Sequence, residues 1–424
     1  MLVSRLSIKR PRKILARVAL MLVTLLPLGG RGFAQIKTTG ALPGPGAFDT
    51  VYGNSHFGAW INDEFGLPAF RYDGCLADTC KEPANAFHQL GNGSVTARAF
   101  TQGYVELFTA RTYYRFANHY DPGVKNYAGG FGWIRDGDRI WSTLHADRPD
   151  GSKYDRLFGM GYYKKTIEHN GLRLEHYIYA APGGDEALLE RLAFTNLTGA
   201  VKSIRYVHYW DVAWWMLYCD ESLQFPRNTL DPSKAVCTPQ PAYDTARVTT
   251  SYDAMRRALK LRSDAAVGDL NVPSLTHDPS PKTAFVAFLN ATPERCDTEQ
   301  VAFFGSGDRK LPDHVRVSDA LGTCADRVGT QANQDALLAT EKGWDLAPGA
   351  TQELHVLYGI APRDTENAVI DRYRSGPTYR LPAVMQDWAA RIPSLVVPHR
   401  PDRPDHRWIA RELAWSRSAD RGPR

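Results

Sequence analysis

Aromatic and charged side chains are concentrated between residues 113 and 215. Four of them, Tyr127, Trp133, Arg135 and Trp141, are of the types that a sugar site uses. Pyranose rings carry patches of C–H bonds that stack on aromatic faces, and an arginine donates hydrogen bonds to hydroxyl groups. Aromatic side chains also fill the cores of β-sandwiches, because each buries a large area. The block therefore predicts either a saccharide surface or an aromatic core, and these four residues are the candidate carbohydrate contacts.

Asp63 and Glu64 place two carboxylates side by side, and paired carboxylates are used in glycosidase chemistry. Adjacent residues of a strand point to opposite faces, so these two cannot flank one bond unless the backbone turns. The run Asp63-Glu-Phe-Gly66 is typical of a turn between strands. We therefore expect a structural role for the pair.

Other catalytic signatures are not found in the sequence. The histidines have no metal-ligand spacing. A mutarotase needs a histidine acid and a carboxylate base that face one sugar, whereas Glu175 and His176 are neighbours on a predicted strand and point apart. There is no glycine-rich phosphate loop, GxSxG elbow or catalytic Cys–His signature. No catalytic residue, metal or cofactor is predicted.

Residues 1–34 have the pattern of a signal peptide. Basic residues precede the apolar run Val18–Leu28, which is too short to span a membrane comfortably. Gly32-Phe33-Ala34 offers a small-x-small cleavage site, so we expect cleavage after Ala34 and a periplasmic or secreted protein without a membrane span. An uncleaved signal anchor is the alternative.

The charge balance changes when this segment is removed. The chain has 51 basic and 46 acidic residues, but seven of the basic ones lie in residues 1–34, which contain no Asp or Glu. The processed chain is therefore close to neutral and has no basic stripe. Nucleic-acid binding is not expected.

All six cysteines follow the predicted signal peptide, and an even number in an exported chain is typical of disulfides. Their spacing suggests three bridges, each closing a polar loop: Cys75–Cys80, Cys219–Cys237 and Cys296–Cys324. The alternative is a metal site, but the Cys75 to Cys80 run has no matching CxxC or HxxxH partner.

Strand signals dominate the middle of the chain. Trp133–Arg135 and Asp138–Trp141 flank Asp136-Gly137, which accepts the positive φ of a type I′ turn, so they predict a hairpin. Leu172–Tyr179 alternates with a period of two, as a half-buried strand does, and Asn170-Gly171 before it is a second turn signal.

Further segments complete a mainly β domain over residues 35–370. The additional predicted strands are Ala187–Thr195, Val201–Trp210, Phe285–Leu289, Val301–Phe304 and Leu354–Ile360. Residues 220–245 and 263–282 are polar and rich in proline, so they are expected to be loops. Many antiparallel strands with little helix predict a large sandwich.

Helical periodicity appears in residues 371–424. One helix face is formed by positions i, i+3, i+4 and i+7, namely Leu381, Val384, Met385 and Trp388. Asp405 is placed to cap a second helix that carries Trp408. Helices this short cannot bury an apolar face alone, so we expect them to need a partner surface outside this chain. Without it, Trp388, Trp408 and Trp415 would be exposed and the chain would aggregate.

The order and spacing of several segments resemble the N-terminal β-supersandwich domain of the phosphorylases of glycoside hydrolase family 94, formerly glycosyltransferase family 36. The segments are Asp63–Phe70, Tyr127–Ser142, Tyr162–Tyr179, Leu192–Thr198, Val301–Gly305, Leu346–Gly349, Asp371–Arg374, Trp388 and Arg411–Trp415. The resemblance implies a supersandwich similar to galactose mutarotase, then linker helices, then an (α/α)6 barrel. In such enzymes an Asp of the barrel protonates the leaving oxygen while phosphate attacks the anomeric carbon, so no protein base is needed. The chain is expected to end within the linker, before the barrel and its catalytic Asp.

The function expected from these features is that of a carbohydrate-binding supersandwich, non-catalytic on its own, from a secreted phosphorylase-like protein acting on β-linked glucosides or chito-oligosaccharides. Its expected partners are an oligosaccharide and either a second copy of the chain or a separately encoded catalytic barrel. A self-sufficient mutarotase or glycosidase that uses the sandwich face is one alternative. A structural sugar-binding module of the periplasm is another.

Overall fold

A computed structural model describes residues 58–72, 86–109, 115–181, 183–212, 215–219, 237–241, 248–263, 282–317, 320–331, 336–376 and 380–391. Strands dominate these residues, as their β-branched and aromatic content predicts. Along the chain the strands are β1 (Gly58–Asn62), β2 (Pro68–Tyr72), β3 (Phe87–Gly91), β4 (Val95–Phe100), β5 (Val105–Thr109), β6 (Arg115–Phe116), β7 (Tyr120–Asp121), β8 (Asn126–Tyr127), β9 (Gly129–Asp136), β10 (Arg139–Ser142), β11 (Lys153–Gly159), β12 (Tyr162–His169), β13 (Leu172–Tyr179), β14 (Ala187–Asn196), β15 (Lys202–Val212), β16 (Trp215–Cys219), β17 (Cys237–Pro241), β18 (Val248–Asp253), β19 (Ala258–Ser263), β20 (Lys282–Phe288), β21 (Arg295–Glu299), β22 (Thr330–Gln331), β23 (Ala336–Leu346) and β24 (Thr351–Pro362). The helices are a 3₁₀ turn (Pro122–Val124), α1 (Gln300–Phe304), α2 (Asp313–Arg316), α3 (Glu366–Ser375) and α4 (Leu381–Arg391).

The strands form antiparallel sheets. The largest has eleven strands in the order β1-β2-β11-β12-β13-β14-β24-β20-β19-β18-β22. A five-stranded sheet has the order β10-β9-β15-β23-β21, a six-stranded sheet has the order β17-β16-β6-β5-β4-β3, and β7 pairs with β8. The predicted fold class, a large antiparallel sandwich followed by short helices, is confirmed.

The main core lies between the inner face of the eleven-stranded sheet and the two smaller sheets. Leu174 and Phe194 of the large sheet share one buried cluster with Ile134 and Leu338 of the five-stranded sheet and with Val105 of the six-stranded sheet. Burial of apolar area of this kind is the main favourable contribution to folding. The sheets therefore form one packed body around a continuous core.

The predicted hairpins are present. β9 and β10 pair with Asp136 opposite Arg139, so the turn residues are Gly137 and Asp138, one position later than expected. Gly137 has a φ of 62°, which explains why glycine is favoured there. The second turn is at Asn170-Gly171, where both residues have positive φ, and it joins β12 to β13 as predicted.

Two secondary-structure predictions are wrong, and one helix lies where the sequence predicts none. Val301–Phe304 lies in α1 and not in a strand, because the chain leaves the sheet after β21 and buries Phe303 and Phe304 while Val301 stays 66% exposed. Helix α3 begins at Glu366, inside the segment assigned to the β domain. The predicted loop 220–245 contains β17, which pairs with β16.

Helices α3 and α4 cover part of the outer face of the eleven-stranded sheet. Val369 and Tyr373 of α3 and Val384 and Met385 of α4 are buried in one cluster with sheet residues such as Leu357. The same cover explains the burial pattern of β13, which alternates in its first half and is buried on both faces in its second half.

Trp388 has a partner surface within this chain, so the expectation that it would be exposed is wrong. Its side chain is 5% exposed, and its indole Nε1 donates a hydrogen bond to the Ala180 carbonyl at 2.8 Å. Arg372 of α3 donates to both carboxylate oxygens of Asp185, at 2.5 and 2.6 Å, which ties α3 to the β13–β14 connection. Trp408 and Trp415 lie outside the described residues. Among the described helices, none is long and apolar enough to cross a membrane.

This packing gives the first prediction. Trp388→Ala should lower the free energy of unfolding by about 3–5 kcal/mol, because a buried tryptophan is replaced by a cavity against the sheet. Gln386→Ala, at an exposed position of the same helix, should change it by less than about 0.5 kcal/mol. Urea unfolding measures both values. Equal stability of the two variants would show that α4 is not docked on the sheet.

Candidate functional site

Three of the four predicted carbohydrate contacts are buried. Trp133 is 0% exposed, and Tyr127 and Trp141 are each 4% exposed. The Trp133 indole Nε1 donates to the Arg309 carbonyl at 2.8 Å, while Trp141 faces the main core. The rings therefore pack as core residues, which was the other expectation from the sequence.

Helices α1 and α2 cover the face that carries Tyr127 and Trp133. The Phe304 ring lies 5.1 Å from the Tyr127 ring, and the Phe303 ring lies 5.6 Å from the Trp133 ring. Exposing Phe303, Phe304 and Val315 would cost about 1.5–3 kcal/mol for each side chain. A saccharide does not displace this cover at such a cost, so sugar contact at Tyr127 and Trp133 stays a prediction that this geometry does not support.

Asp63 and Glu64 form the turn that the sequence predicts. Asp63 Oδ1 accepts hydrogen bonds from the backbone N–H groups of Phe65, at 2.9 Å, and Leu67, at 2.7 Å. Its Oδ2 accepts from the Tyr162 hydroxyl at 2.7 Å. Glu64 Oε1 accepts from the hydroxyl of Tyr177, which brings this carboxylate over the outer face of the large sheet.

A row of polar side chains crosses this outer face beside the helices. Lys164, Tyr177, Arg191 and His355 are opposite one another on the neighbouring strands β12, β13, β14 and β24. Residues opposite one another in adjacent strands share one face, so the four side chains project to the same side. We call them the polar row. Two residues further along each strand is a row of apolar side chains that α3 and α4 cover, which we call the apolar row: Tyr162, Tyr179, Leu189 and Leu357.

Acidic and amide groups complete a cleft of about 440 Å³ at the Arg191 and His355 end of the polar row, whereas Tyr177 is fully buried. Arg191 Nε donates to Glu353 Oε1 at 3.0 Å, and His355 Nε2 lies 3.2 Å from Glu353 Oε2. Asn290 Oδ1 accepts a hydrogen bond from the backbone N–H of His355 at 2.8 Å, and Asn290 Nδ2 donates one to the Glu353 carbonyl at 3.0 Å. Arg380, at the start of α4, lines the other side.

The electrostatics of the cleft keep both of its acid–base groups in their basic forms. Burial would raise the pKa of Glu353, but the hydrogen bond and charge of Arg191 outweigh it and lower that pKa. Burial lowers the pKa of His355, and Glu353 offsets this only in part. At neutral pH the pair is a carboxylate beside a neutral imidazole. Two bases without a paired acid suit the binding of hydroxyl groups better than proton transfer in both directions.

Buried charged groups also occur inside the sandwich. Glu190 is fully buried, and its carboxylate lies 2.6 Å from His176 Nε2 and 3.0 Å from His208 Nε2 and accepts from Trp210 Nε1 at 2.8 Å. Lys165 is also 0% exposed and donates to the carbonyls of Gly103 and Gly130, both at 2.8 Å. These residues are closed to solvent, so we assign them to the structure and not to a ligand.

The sequence missed this buried cluster, although a signal was present. Glu175 and His176 do point to opposite faces: Glu175 pairs with Lys164 outside, at 2.8 Å, and His176 points inward. The inward position of His176 and Glu190 follows from the period of two in the predicted strands. A charged residue at such a position needs a buried partner, and this requirement indicates the pairing.

Four of the six cysteines lie within the described residues. Cys296 and Cys324 form a disulfide with Cα atoms 4.6 Å apart. Cys219 and Cys237 are opposite each other in the β16–β17 pair. Cys75 and Cys80 lie outside the described residues, so the three-bridge framework stays a prediction. In the described ranges, no group of three or more His, Cys, Asp or Glu side chains is placed to hold a metal ion.

The sheets and their helical cover define a β-supersandwich, and the sequence agrees. Residues 74–376 match the family model described as the supersandwich domain of glycosyl hydrolase 94. This match covers more than half of the chain, so the protein belongs to that family and the family resemblance is confirmed. A comparison with curated protein sequences gives no match.

The solved structures that align with this chain are distant from it in sequence. A protein from the human microbiome described as a kojibiose phosphorylase is 9% identical, with a TM-score of 0.41 over 79% of this chain and 39% of that chain. A protein from Escherichia coli K12 described as an aldose 1-epimerase is 12% identical, with a TM-score of 0.31 over 66% of this chain and 100% of that one. The present chain thus spans 39% of the length of the phosphorylase.

The buried cluster gives the second prediction, on acid stability. Burial lowers the pKa of His176 from 6.5 to about 4, so the unfolded chain binds this proton at a higher pH than the folded chain. The free energy of unfolding should therefore decrease as the pH falls from 6.5 towards 4, by on the order of 1–2 kcal/mol for this residue by pH 5. Urea unfolding at several pH values measures the slope.

His176→Gln keeps a hydrogen-bonding group beside Glu190 and removes the titration, so its slope should be shallower. Gln386→Ala is the control, because it changes an exposed side chain that does not titrate, and it should keep the parent slope. If His176→Gln and the parent protein lose stability equally between about pH 6.5 and 5, His176 is not the group responsible.

Proposed function

We propose that this protein is the saccharide-binding supersandwich of an exported phosphorylase-like protein and that it binds its ligand without converting it. The observation that carries the proposal is the cleft at the Arg191 and His355 end of the polar row, which stays open beside α4 while the neighbouring apolar residues are covered. Family membership supplies the carbohydrate context. The ligands that we propose are β-linked glucosides or chito-oligosaccharides.

The groups in the cleft suit a neutral, polyhydroxylated ligand. Two cations, Arg191 and Arg380, and two carboxylates, those of Glu64 and Glu353, line the cleft. Equal numbers of opposite charges do not favour an anion or a cation. Side-chain donors and acceptors set along a concave surface are instead what sugar hydroxyl groups require. Phe65 also lines the cleft and offers an aromatic ring.

A barrel partner supplies catalysis in this proposal. The pair of His355 and Glu353 is the one observation that favours the second candidate function, a mutarotase, because both groups project from one strand into an open cleft. Both are bases at neutral pH, however, and ring opening of an aldose also needs an acid at the ring oxygen. The binding function is therefore the better supported of the two.

Export, the partners and the remaining disulfides belong to the same proposal. The signal-peptide pattern of residues 1–34 supports a periplasmic or secreted location, in which disulfides persist. A second copy of the chain or a separately encoded barrel is the proposed protein partner. Co-expression with a candidate barrel followed by size-exclusion chromatography tests the barrel partner.

The third prediction concerns binding at the polar row. The full chain is titrated with cello- and chito-oligosaccharides while its amide chemical shifts are recorded. The shifts of residues near Arg191 in β13, β14 and β24 should change. Arg191→Met should weaken this binding at least about tenfold, because it removes a charged donor that also orients Glu353. Loss of such a hydrogen bond costs about 1.5–3 kcal/mol.

Arg173→Met is the matched control. Arg173 is another partly exposed arginine of the same sheet and pairs with Glu168 at 2.6 Å outside the cleft, so its removal should leave the affinity unchanged. Equal losses in the two variants, or no perturbation by any saccharide of the series, would contradict binding at the polar row.

The fourth prediction concerns turnover. The purified chain should leave the rate of glucose and galactose mutarotation at the uncatalysed level and should release no product from cello- or chito-oligosaccharides, with or without phosphate. Polarimetry and product chromatography measure these rates. Turnover that is lost in Glu353→Gln and kept in Arg173→Met would instead establish the mutarotase or glycosidase alternative.

A further inference from the structure

A second open cleft lies on the outer face of the five-stranded sheet, where the cover of α1 and α2 ends. Arg135, Arg205 and Gly343 are opposite one another on β9, β15 and β23. They lie two residues from Trp133 and Val207, which are on the same face but buried under the two helices. We call this open end the Gly343 cleft. Its volume is about 490 Å³.

Polar side chains surround the Gly343 cleft and fix one another. Arg205 Nη1 donates to Glu341 Oε1 at 2.5 Å and lies 3.5 Å from Glu294 Oε2. The hydroxyl of Ser203 donates to Asp345 Oδ1 at 2.5 Å. These ion pairs and the hydrogen bond keep each donor and acceptor in place before a ligand arrives, which lowers the entropy cost of binding.

Arg135 stands where the covered and open parts of the face meet. Its Nη2 donates to the Val315 carbonyl at 2.6 Å and to the Arg316 carbonyl at 3.2 Å, at the end of α2. It therefore holds the edge of the cover in place while the same residue lines the cleft. Of the four predicted carbohydrate contacts, Arg135 is the one that lines the Gly343 cleft.

The floor of the cleft is a glycine that packing does not require. A Cβ atom at Gly343 would lie 3.4 Å from Arg205 Cγ and 3.5 Å from Glu294 Oε2, which are ordinary contacts. Glycine within a strand is destabilising relative to a residue with a side chain, and it often marks close approach of a ligand to the backbone. Any larger side chain here would fill the space above the row.

We propose that the Gly343 cleft is a second saccharide-binding subsite, on a different sheet from the polar row. This inference rests on the proposed function, because that function supplies the ligand class. Arg135, Arg205 and the nearby Lys342 are balanced by Glu294, Glu341 and Asp345, so a neutral saccharide fits the cleft better than an anion. The volume is in the usual range of small-ligand pockets, about 300–1,000 Å³.

The same oligosaccharide titration tests this subsite by position. In the parent protein, amide shifts should change near Gly343 and Arg205 as well as near the polar row. Gly343→Leu should abolish the changes at β15 and β23 and leave those at β13 and β14 intact, because the leucine side chain fills the cleft. Arg205→Met should weaken binding at this position at least tenfold.

Two controls separate the outcomes. Arg173→Met should bind as the parent does at both positions, and Arg191→Met should lose only the polar-row response. If Gly343→Leu does not fold, Arg205→Met decides, since Glu341 keeps Arg295 at 3.9 Å as a charged neighbour. Shifts at the polar row alone would overturn the second subsite and leave the proposed function standing. Shifts at neither position would overturn both.

Discussion

The apolar parts of both faces of the eleven-stranded sheet must be covered, and the rest of the structure depends on how this is done. An antiparallel sheet can leave one face in water only where that face is polar. Here the inner face packs against the five- and six-stranded sheets across the main core. The outer face carries large apolar residues such as Tyr162, Tyr179 and Leu357 over part of its width, and α3 and α4 cover that part.

The position of this cover decides where the two proposed binding clefts lie. The apolar row is closed by Trp388 and its neighbours, and a cleft lined by Arg191, Glu353 and Arg380 lies next to it. The five-stranded sheet repeats the arrangement, since α1 and α2 cover Trp133 and leave Arg135, Arg205 and Gly343 open. In both places the aromatic residues contribute packing energy, and the polar residues at the edge of the cover line a cleft. Binding at the edge of a cover requires no part of the core to open.

The charged groups inside the sandwich make its packing sensitive to pH. Burial lowers the pKa of Lys165 to about 7, and the charge of Glu190 opposes that shift. Removal of one partner of such a cluster leaves an uncompensated buried charge, which is strongly destabilising. The cluster joins β12, β13, β14 and β15, which belong to both large layers, so it fixes how the two layers face each other.

The sequence by itself determined many of the strands, the two tight turns to within one residue, and the family. Leu172–Tyr179 was predicted with its observed bounds, because alternation over eight residues is a local property. The two tight turns also follow from local chemistry, since glycine and asparagine accept positive φ. Val301–Phe304 failed for the opposite reason: a short apolar run has no distinct period, and its partner surface made it a helix.

Only the tertiary structure decided which candidate residues are accessible. Trp133 and Arg135 share one face of β9, and nothing local to that strand indicates that α1, more than 160 residues later, covers the first and not the second. The polar row was missed for the same reason, because Lys164, Tyr177, Arg191 and His355 come from four strands and meet only through sheet register. Trp388 was expected to need a partner from outside the chain, and the sheet supplied it. Strand periodicity places a side chain on a face, whereas burial of that face is set by long-range packing.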